Sequence, residues 1–234
     1  MAHSRSPALH RAAFRALGVD AAYGALEPEE GEVAPTMRVL ARSGGGGNVT
    51  LPHKERAAGA LDRPSEAVRA TGACNCFWGE DGDLYGDNTD VRGFLEAVAG
   101  LVPGEEGDEP AGLRVLLLGA GGGARAVLHG CLTAGADQVT VLNRTTRRAE
   151  LLAEEVGGGD PRVRVADDRG DLAARYDLVV NATSLGVEEG DRLPLELAGP
   201  ENRAAFDLVY GDGGTAWVRH AREHGIPARD GGEM

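Results

Sequence analysis

The alternation of apolar and polar positions changes character partway along the chain. In the first part, "SPALHRAAFRALG" (Ser6 to Gly18) sets Ala8, Leu9, Ala12, Ala13, Ala16 and Leu17 on one stripe at helical spacing, and Gly18 suits a left-handed C-terminal cap. Further on the apolar runs become continuous. "RVLLLG" (Arg114 to Gly119) has the unbroken apolar character of a parallel strand covered on both faces. "QVTVLN" (Gln138 to Asn143), "DLVVNAT" (Asp177 to Thr183) and "AFDLVY" (Ala205 to Tyr210) read as further strands. Helical runs such as "ARAVLHGCLTAG" and "RRAELLAEEVG" lie between them. Strands alternating with helices predict a parallel α/β sheet in this second block. "PGEEGDEPAG" (Pro103 to Gly112) is acidic, turn-rich and poor in apolar residues, and reads as an exposed loop between the blocks.

Composition narrows the partners. The 234 residues suffice for one large domain or two small ones, and no apolar run reaches membrane-spanning length. The opening "MAHSRSPALH" has no apolar signal-peptide core, so the cytoplasm is the expected location. A net charge of -13 argues against nucleic acid and against an anionic membrane surface, both of which need a basic footprint. Acidity with almost no lysine fits a salt-adapted cytoplasm and fits codon bias toward Arg, Ala and Gly equally well. The 3 cysteines, Cys74, Cys76 and Cys131, make no disulfide framework. Cys74-x-Cys76 with His53 upstream lacks the ligand number and spacing of a metal site, so no metal is expected.

Two stretches carry candidate chemistry. "GAGGGA" (Gly119 to Ala124) follows an apolar strand and opens a helix, the context that makes a glycine-rich loop a dinucleotide site. Gly119 allows the tight turn, and Gly121 lets a pyrophosphate approach the backbone. Ala120, Gly122 and Gly123 complete the loop, Ala124 replaces the third glycine, and the helix N-terminus faces the phosphates. The next strand ends in "NRTTRR" (Asn143 to Arg148), with no acid for a ribose 2′-hydroxyl and three arginines instead. A guanidinium pairs with a 2′-phosphate in two parallel hydrogen bonds, so the cofactor expected is NADP, with Arg144 at the strand end. Arg147 and Arg148 read equally well as the solvated start of a helix. The other stretch is "NVTLPHK" (Asn48 to Lys54), which holds the single lysine among 24 Lys and Arg.

"HSRSP" (His3 to Pro7), "NVTLPHK", "GACN" (Gly72 to Asn75), "GDNTD" (Gly86 to Asp90), "GAGGGA", "NRTTRR", "NATSLG" (Asn181 to Gly186) and "DLVYG" (Asp207 to Gly211) occur in this order. Together they resemble the shikimate dehydrogenase family over nearly the whole chain. The resemblance implies an N-terminal α/β substrate domain, residues 1–92, and a Rossmann-type NADP-binding domain with a parallel sheet, residues 93–234. It implies NADP-dependent reduction of 3-dehydroshikimate to shikimate, in aromatic amino acid biosynthesis, by a monomer or homodimer. Ser4, Ser6, Thr50, Asn75 and Tyr210 correspond to the family's substrate-binding residues, and Lys54 and Asp90 to its catalytic pair. Asn143, Arg144, Thr145, Arg148, Leu208 and Gly231 join the glycine loop around the cofactor. The chemistry agrees. Hydride addition to a ketone creates an alkoxide that needs a proton, which lysine releases and regains and arginine keeps. Asp90 would hold Lys54 and contact substrate hydroxyls.

The chain departs from the family's pattern at His53, where Phe is common, and at Cys74 and Cys76, where Val and Thr are usual. A packed ring is the simpler role for His53. The family also has a strand before H-S-x-S-P, where this chain has Met1 and Ala2, and a glutamine-bearing helix beyond Met234. The expectation is ordinary NADP affinity but weak shikimate binding, with Ser4 and Ser6 on a frayed terminus. Two other readings stand beside the main one: a quinate or mixed quinate/shikimate dehydrogenase using NAD or NADP, and a ligand-sensing module without turnover. Retention of both Lys54 and Asp90 weighs against the latter.

Overall fold

A computed structural model describes residues 5–102, 110–173, 175–188, 190–197 and 202–234. In chain order its principal elements begin with α1 (Ser6–Leu17), α2 (Val33–Arg42), β1 (Gly46–Asn48), α3 (Lys54–Ala60) and β2 (Arg63–Pro64). There follow α4 (Glu66–Thr71), β3 (Cys76–Glu80), β4 (Asp83–Asp87) and α5 (Asp90–Val98). The second half holds β5 (Arg114–Leu118), α6 (Gly122–Thr133), β6 (Gln138–Leu142), α7 (Thr146–Glu155) and β7 (Val163–Ala166). It closes with β8 (Tyr176–Asn181), β9 (Asn202–Asp207), α8 (Ala216–Glu223) and β10 (Ala228–Asp230). Most of the loop expected at Pro103 to Gly112 lies outside the described residues.

The strands form two sheets. The smaller has the order β1-β3-β4-β2. Its centre is the β3–β4 hairpin, in register from Cys76↔Asp87 to Glu80↔Asp83. The turn is Asp81-Gly82, with φ of 51° and 87°. Positive φ at both central residues matches the right-handed twist of the strands, so this dipeptide was a legible hairpin signal that the strand reading overlooked. Val33 and Met37 of α2, Ala57 and Ala60 of α3, and Val68 of α4 cover one face over Cys74, Phe77 and Leu84.

Helix α1 forms where its periodicity predicts and ends at Gly18, φ 66°. Its apolar stripe, however, is not buried: Leu9 and Leu17 stay 65% and 76% exposed. The face that packs carries Ser6, His10 and Phe14, because His10 stacks on Tyr23 at 4.1 Å. Helical spacing fixed the helix but not the face used.

The larger sheet is parallel throughout, in the order β10-β9-β8-β5-β6-β7. Leu117, Val139, Val141, Leu178, Val180 and Phe206 form one face of its core with Val127 and Leu128 of α6. Trp217 and Val218 of α8 cover the other face over Leu116, Leu118 and Val179. Residues buried on both sides explain the continuous apolar runs. The strand order reverses beside β5, so a crevice opens above the C-terminal ends of β5 and β8, where dinucleotides bind in such sheets. Strand β9 runs Asn202–Asp207 rather than to Tyr210. It stops there because the Val209 amide turns back to Asp207 Oδ1, at 3.1 Å, instead of continuing the ladder.

The two sheets meet through α5. Asp90 opens this helix in the smaller half, while Phe94 sits edge-on to Phe206 of β9, ring centres 5.7 Å apart. Arg229 of β10 donates to the Ala97 and Ala99 carbonyls at 2.9 and 3.1 Å, satisfying the end of the same helix.

Candidate active site

Lys54 and Asp90 are the first residues of α3 and α5. Lys54 Nζ donates to Asp90 Oδ2 at 2.6 Å, and Asn75 Nδ2 donates to Asp90 Oδ1 at 2.6 Å. Both carboxylate oxygens are therefore engaged. The carboxylate also offsets the unfavourable placement of an ammonium at the positive end of a helix. Asn75 is fixed in turn: its Oδ1 accepts from the Thr89 amide at 2.9 Å, and Nδ2 reaches Thr89 Oγ1 at 2.9 Å. Asn88, buried, accepts the Asp90 amide at 3.1 Å and donates to Thr71 Oγ1 and to the Ala73 carbonyl, both at 3.0 Å. The side chains of Lys54 and Asp90 remain 14% and 15% exposed, which leaves an edge open to a small molecule.

The glycine loop comes from the other half of the molecule. Gly119 has φ 110°, and a Cβ there would stand 2.8 Å from the Ala182 carbonyl oxygen of the neighbouring strand's extension. Gly121 precedes α6, and a Cβ there would meet only Leu51, at 4.0 Å. A side chain would project into the open space over the helix N-terminus that a pyrophosphate needs, so the loop fits a dinucleotide. A Cβ on Gly123 would stand 2.8 Å from Leu208, and one on Gly231 would stand 2.3 Å from the Leu208 carbonyl oxygen. Leu208 therefore lies beside the loop with Gly231 against its backbone, and Ala120 packs against the core below.

At the end of β6, Asn143 donates to the Thr145 carbonyl at 2.9 Å. Arg147 pairs with Glu150 at 3.1 Å on the helix surface. Arg144 and Arg148 are exposed and make no ion pair among the described residues, so both guanidinium groups are available to an anion.

Thr50 is exposed one turn before Lys54. Ser4 lies outside the described residues. Ser6 is the first residue of α1 and hydrogen-bonds the Tyr23 side chain, whose hydroxyl donates to Asn48 Oδ1 at 3.0 Å. Ser6 is thus held by helix and side chain, in contrast to the frayed position expected for it. Arg5 pairs with Asp212 and lies 5.6 Å from the centre of the Tyr210 ring, so the start of the chain reaches the loop after β9. His53 is half-buried, with Nδ1 sealed and without a hydrogen-bond partner among the described residues. Sequence reading missed Tyr23, for which no motif gave a signal. It also gave no role to Asn88 and Thr89, although both lie within the "GDNTD" run.

Below the crevice, Asn181 at the end of β8 faces Asp207 at the end of β9. Asp207 is fully buried and accepts from Asn181 Nδ2 at 2.8 Å and Thr215 Oγ1 at 2.7 Å. Burial pushes its carboxyl up to about 6, against the pull of these hydrogen bonds. Burial also raises the thiols of Cys74 and Cys131, to about 11 and about 12. Among the described residues, no group of 3 or more His, Cys, Asp or Glu could hold a metal ion. None of the described helices is long and apolar enough to cross a membrane.

Two α/β units, a glycine loop at a switch point and a lysine–carboxylate pair facing it define a dinucleotide-linked oxidoreductase of two domains. The chain matches the family models for the shikimate dehydrogenase substrate binding domain over residues 1–77 and for shikimate / quinate 5-dehydrogenase over residues 105–187. It is 43% identical over 238 residues to the shikimate dehydrogenase (NADP(+)) of Rubrobacter xylanophilus, covering 99% of this chain and 82% of the relative. It is 40% identical over 236 residues to that of Brucella abortus, covering 98% and 79%. Among solved structures, the Aquifex aeolicus shikimate dehydrogenase superposes with a TM-score of 0.86 at 31% identity, covering 99% of this chain and 83% of that one. The Thermus thermophilus enzyme, solved with NADP(H) and shikimate, gives 0.80 at 36% identity, covering 100% and 84%. The chain belongs to the shikimate dehydrogenase family.

Proposed function

We propose that this protein catalyses the reversible NADP-dependent reduction of 3-dehydroshikimate to shikimate, with Lys54 and Asp90 as its catalytic pair. The observation that carries the reading is the 2.6 Å Lys54–Asp90 pair, set directly beside Gly122 of the glycine loop. NADPH, when bound, supplies the hydride. Lys54 Nζ donates a proton to the oxygen of the reduced carbonyl, which is worth roughly 10²–10⁴-fold in rate. Asp90 holds the ammonium in line, and Asn75 keeps Asp90 from rotating away. Ser4, Ser6, Thr50 and Tyr210, which match the family's substrate-binding positions, bind the substrate's carboxylate and hydroxyls. Gly119 to Gly123 seat the pyrophosphate, and Arg144 and Arg148 hold the 2′-phosphate. Residues 1–92 supply the substrate side and 93–234 the cofactor side. The protein acts in the cytoplasm, as a monomer or homodimer, and its three free thiols suit a reducing compartment.

The test is steady-state turnover followed by NADPH absorbance, with shikimate and quinate each offered with NADP and NAD. The expected result is the highest kcat/KM with shikimate and NADP. A preference for quinate, or for NAD, would transfer the assignment to that pair. Binding of shikimate without turnover would make the protein a sensing module.

A further inference from the structure

We infer that Arg125 is a positioning residue that clamps the cofactor half of the molecule onto the backbone segment holding the catalytic pair. The inference rests on the reductase reading given above.

Arg125 lies in the first turn of α6, its amide donating to the Gly121 carbonyl at 3.1 Å. Its side chain is only 11% exposed and reaches from the cofactor half into the other. Nη1 donates to the Thr71 carbonyl, the last of α4, at 2.9 Å. Nε stands 3.8 Å from Glu55 Oε1, on the residue next to Lys54. Nη2 pairs with Glu155 at the end of α7. A helix cap alone needs one donor. Here the planar fork of one guanidinium serves three elements at once, a geometry that a lysine ammonium on a flexible stem does not fix. Gly72 leaves it room: a Cβ there would stand 3.0 Å from Nη1, and its φ of +64° already favours glycine.

From Thr71 the contacts lead directly to the pair. Thr71 Oγ1 is held by Asn88, whose Oδ1 takes the Asp90 amide. Three residues past Thr71, the Cys74 amide donates to the Lys54 carbonyl at 2.9 Å, and next comes Asn75, which holds Asp90. Hydride and proton must reach the two ends of one carbonyl group from different halves of the protein. Their relative placement is therefore a catalytic variable, and misplacement on the scale of an ångström costs up to about 10²-fold. Arg125 sets that placement without touching either reactant.

The experiment compares the wild-type chain with Arg125→Met and Arg125→Lys. For Arg125→Met, kcat should fall about 10–100-fold, while the dissociation constants of NADP and shikimate, measured by calorimetry, change by less than about threefold. Arg125→Lys should recover part of kcat. Amide hydrogen exchange at Cys74 and Asn75, read without any ligand, should quicken at least about tenfold in Arg125→Met. Unchanged kcat and exchange overturn the inference, and so does a loss of binding that accounts for the whole loss of rate. Should Arg125→Met fail to fold, Arg125→Lys decides alone: full wild-type kcat and exchange overturn the clamp, and a loss of about three- to tenfold in kcat supports it. Turnover by the wild-type chain tests the reductase reading separately, because the exchange result stands whether or not turnover is seen.

Discussion

Lys54 lies against Gly122: a Cβ added to that glycine would stand 2.9 Å from Lys54 Cβ and 3.2 Å from its Cδ. The lysine proposed as proton donor and the glycine loop thus meet at a position where only hydrogen fits. Gly122→Ala should displace the lysine stem or the loop. Overpacking of this kind destabilises the fold by about 1–3 kcal/mol, and displacement of the ammonium on the scale of an ångström should lower kcat/KM by up to about 10²-fold. Wild-type kinetics in this variant would show that the two halves open further in solution than in this structure.

Lys54→Ala should lower kcat by roughly 10²–10⁴-fold with a smaller effect on shikimate affinity. The measurement is single-turnover oxidation of NADPH beside equilibrium titration. A variant keeping most of its kcat would remove Lys54 from proton transfer.

Arg144→Ala should weaken NADP binding by roughly 10–150-fold, the worth of a charge-assisted hydrogen bond, and leave NAD binding nearly unchanged. Because Arg148 also makes no ion pair among the described residues, the double variant should lose more. Equal losses for the two cofactors would make Arg144 a structural residue.

Asp207 predicts a dependence of stability on pH. Its carboxyl is raised from 3.8 to about 6 by burial. A raised pKa means that the folded protein holds the proton more tightly than the unfolded chain. The stabilisation is fully present below about 3.8 and is lost as pH rises through about 6. Asp207→Asn does not titrate, so the difference in Tm, variant minus wild type, should grow between about pH 4 and pH 7 and then level off. The free-energy change across that window is on the order of 3 kcal/mol. A difference that stays flat across this range would show that the donors from Asn181, Thr215 and the Val209 amide hold Asp207 ionised throughout.

Much of the site was legible because its residues lie in short local runs. Gly119 to Gly123 follow an apolar strand, and the strand is apolar because helices cover both faces of a parallel sheet. Asn75, Asp90 and Lys54 sit in compact polar runs whose chemistry the residue types announce. The Asp81-Gly82 turn was equally local and equally readable. By itself, then, the sequence determined the parallel sheet, the helix at Ser6–Leu17 and the chemical character of the site. The tertiary structure alone decided which face of that helix packs, where β9 ends, and that Lys54 abuts Gly122 while Arg125 grips Thr71. The physical reason is range. Periodicity reports how each segment is covered, whereas the Arg125–Thr71 contact joins positions 54 residues apart. That pairing depends on how α4 and α6 are brought together by two separate sheets, which no local pattern encodes.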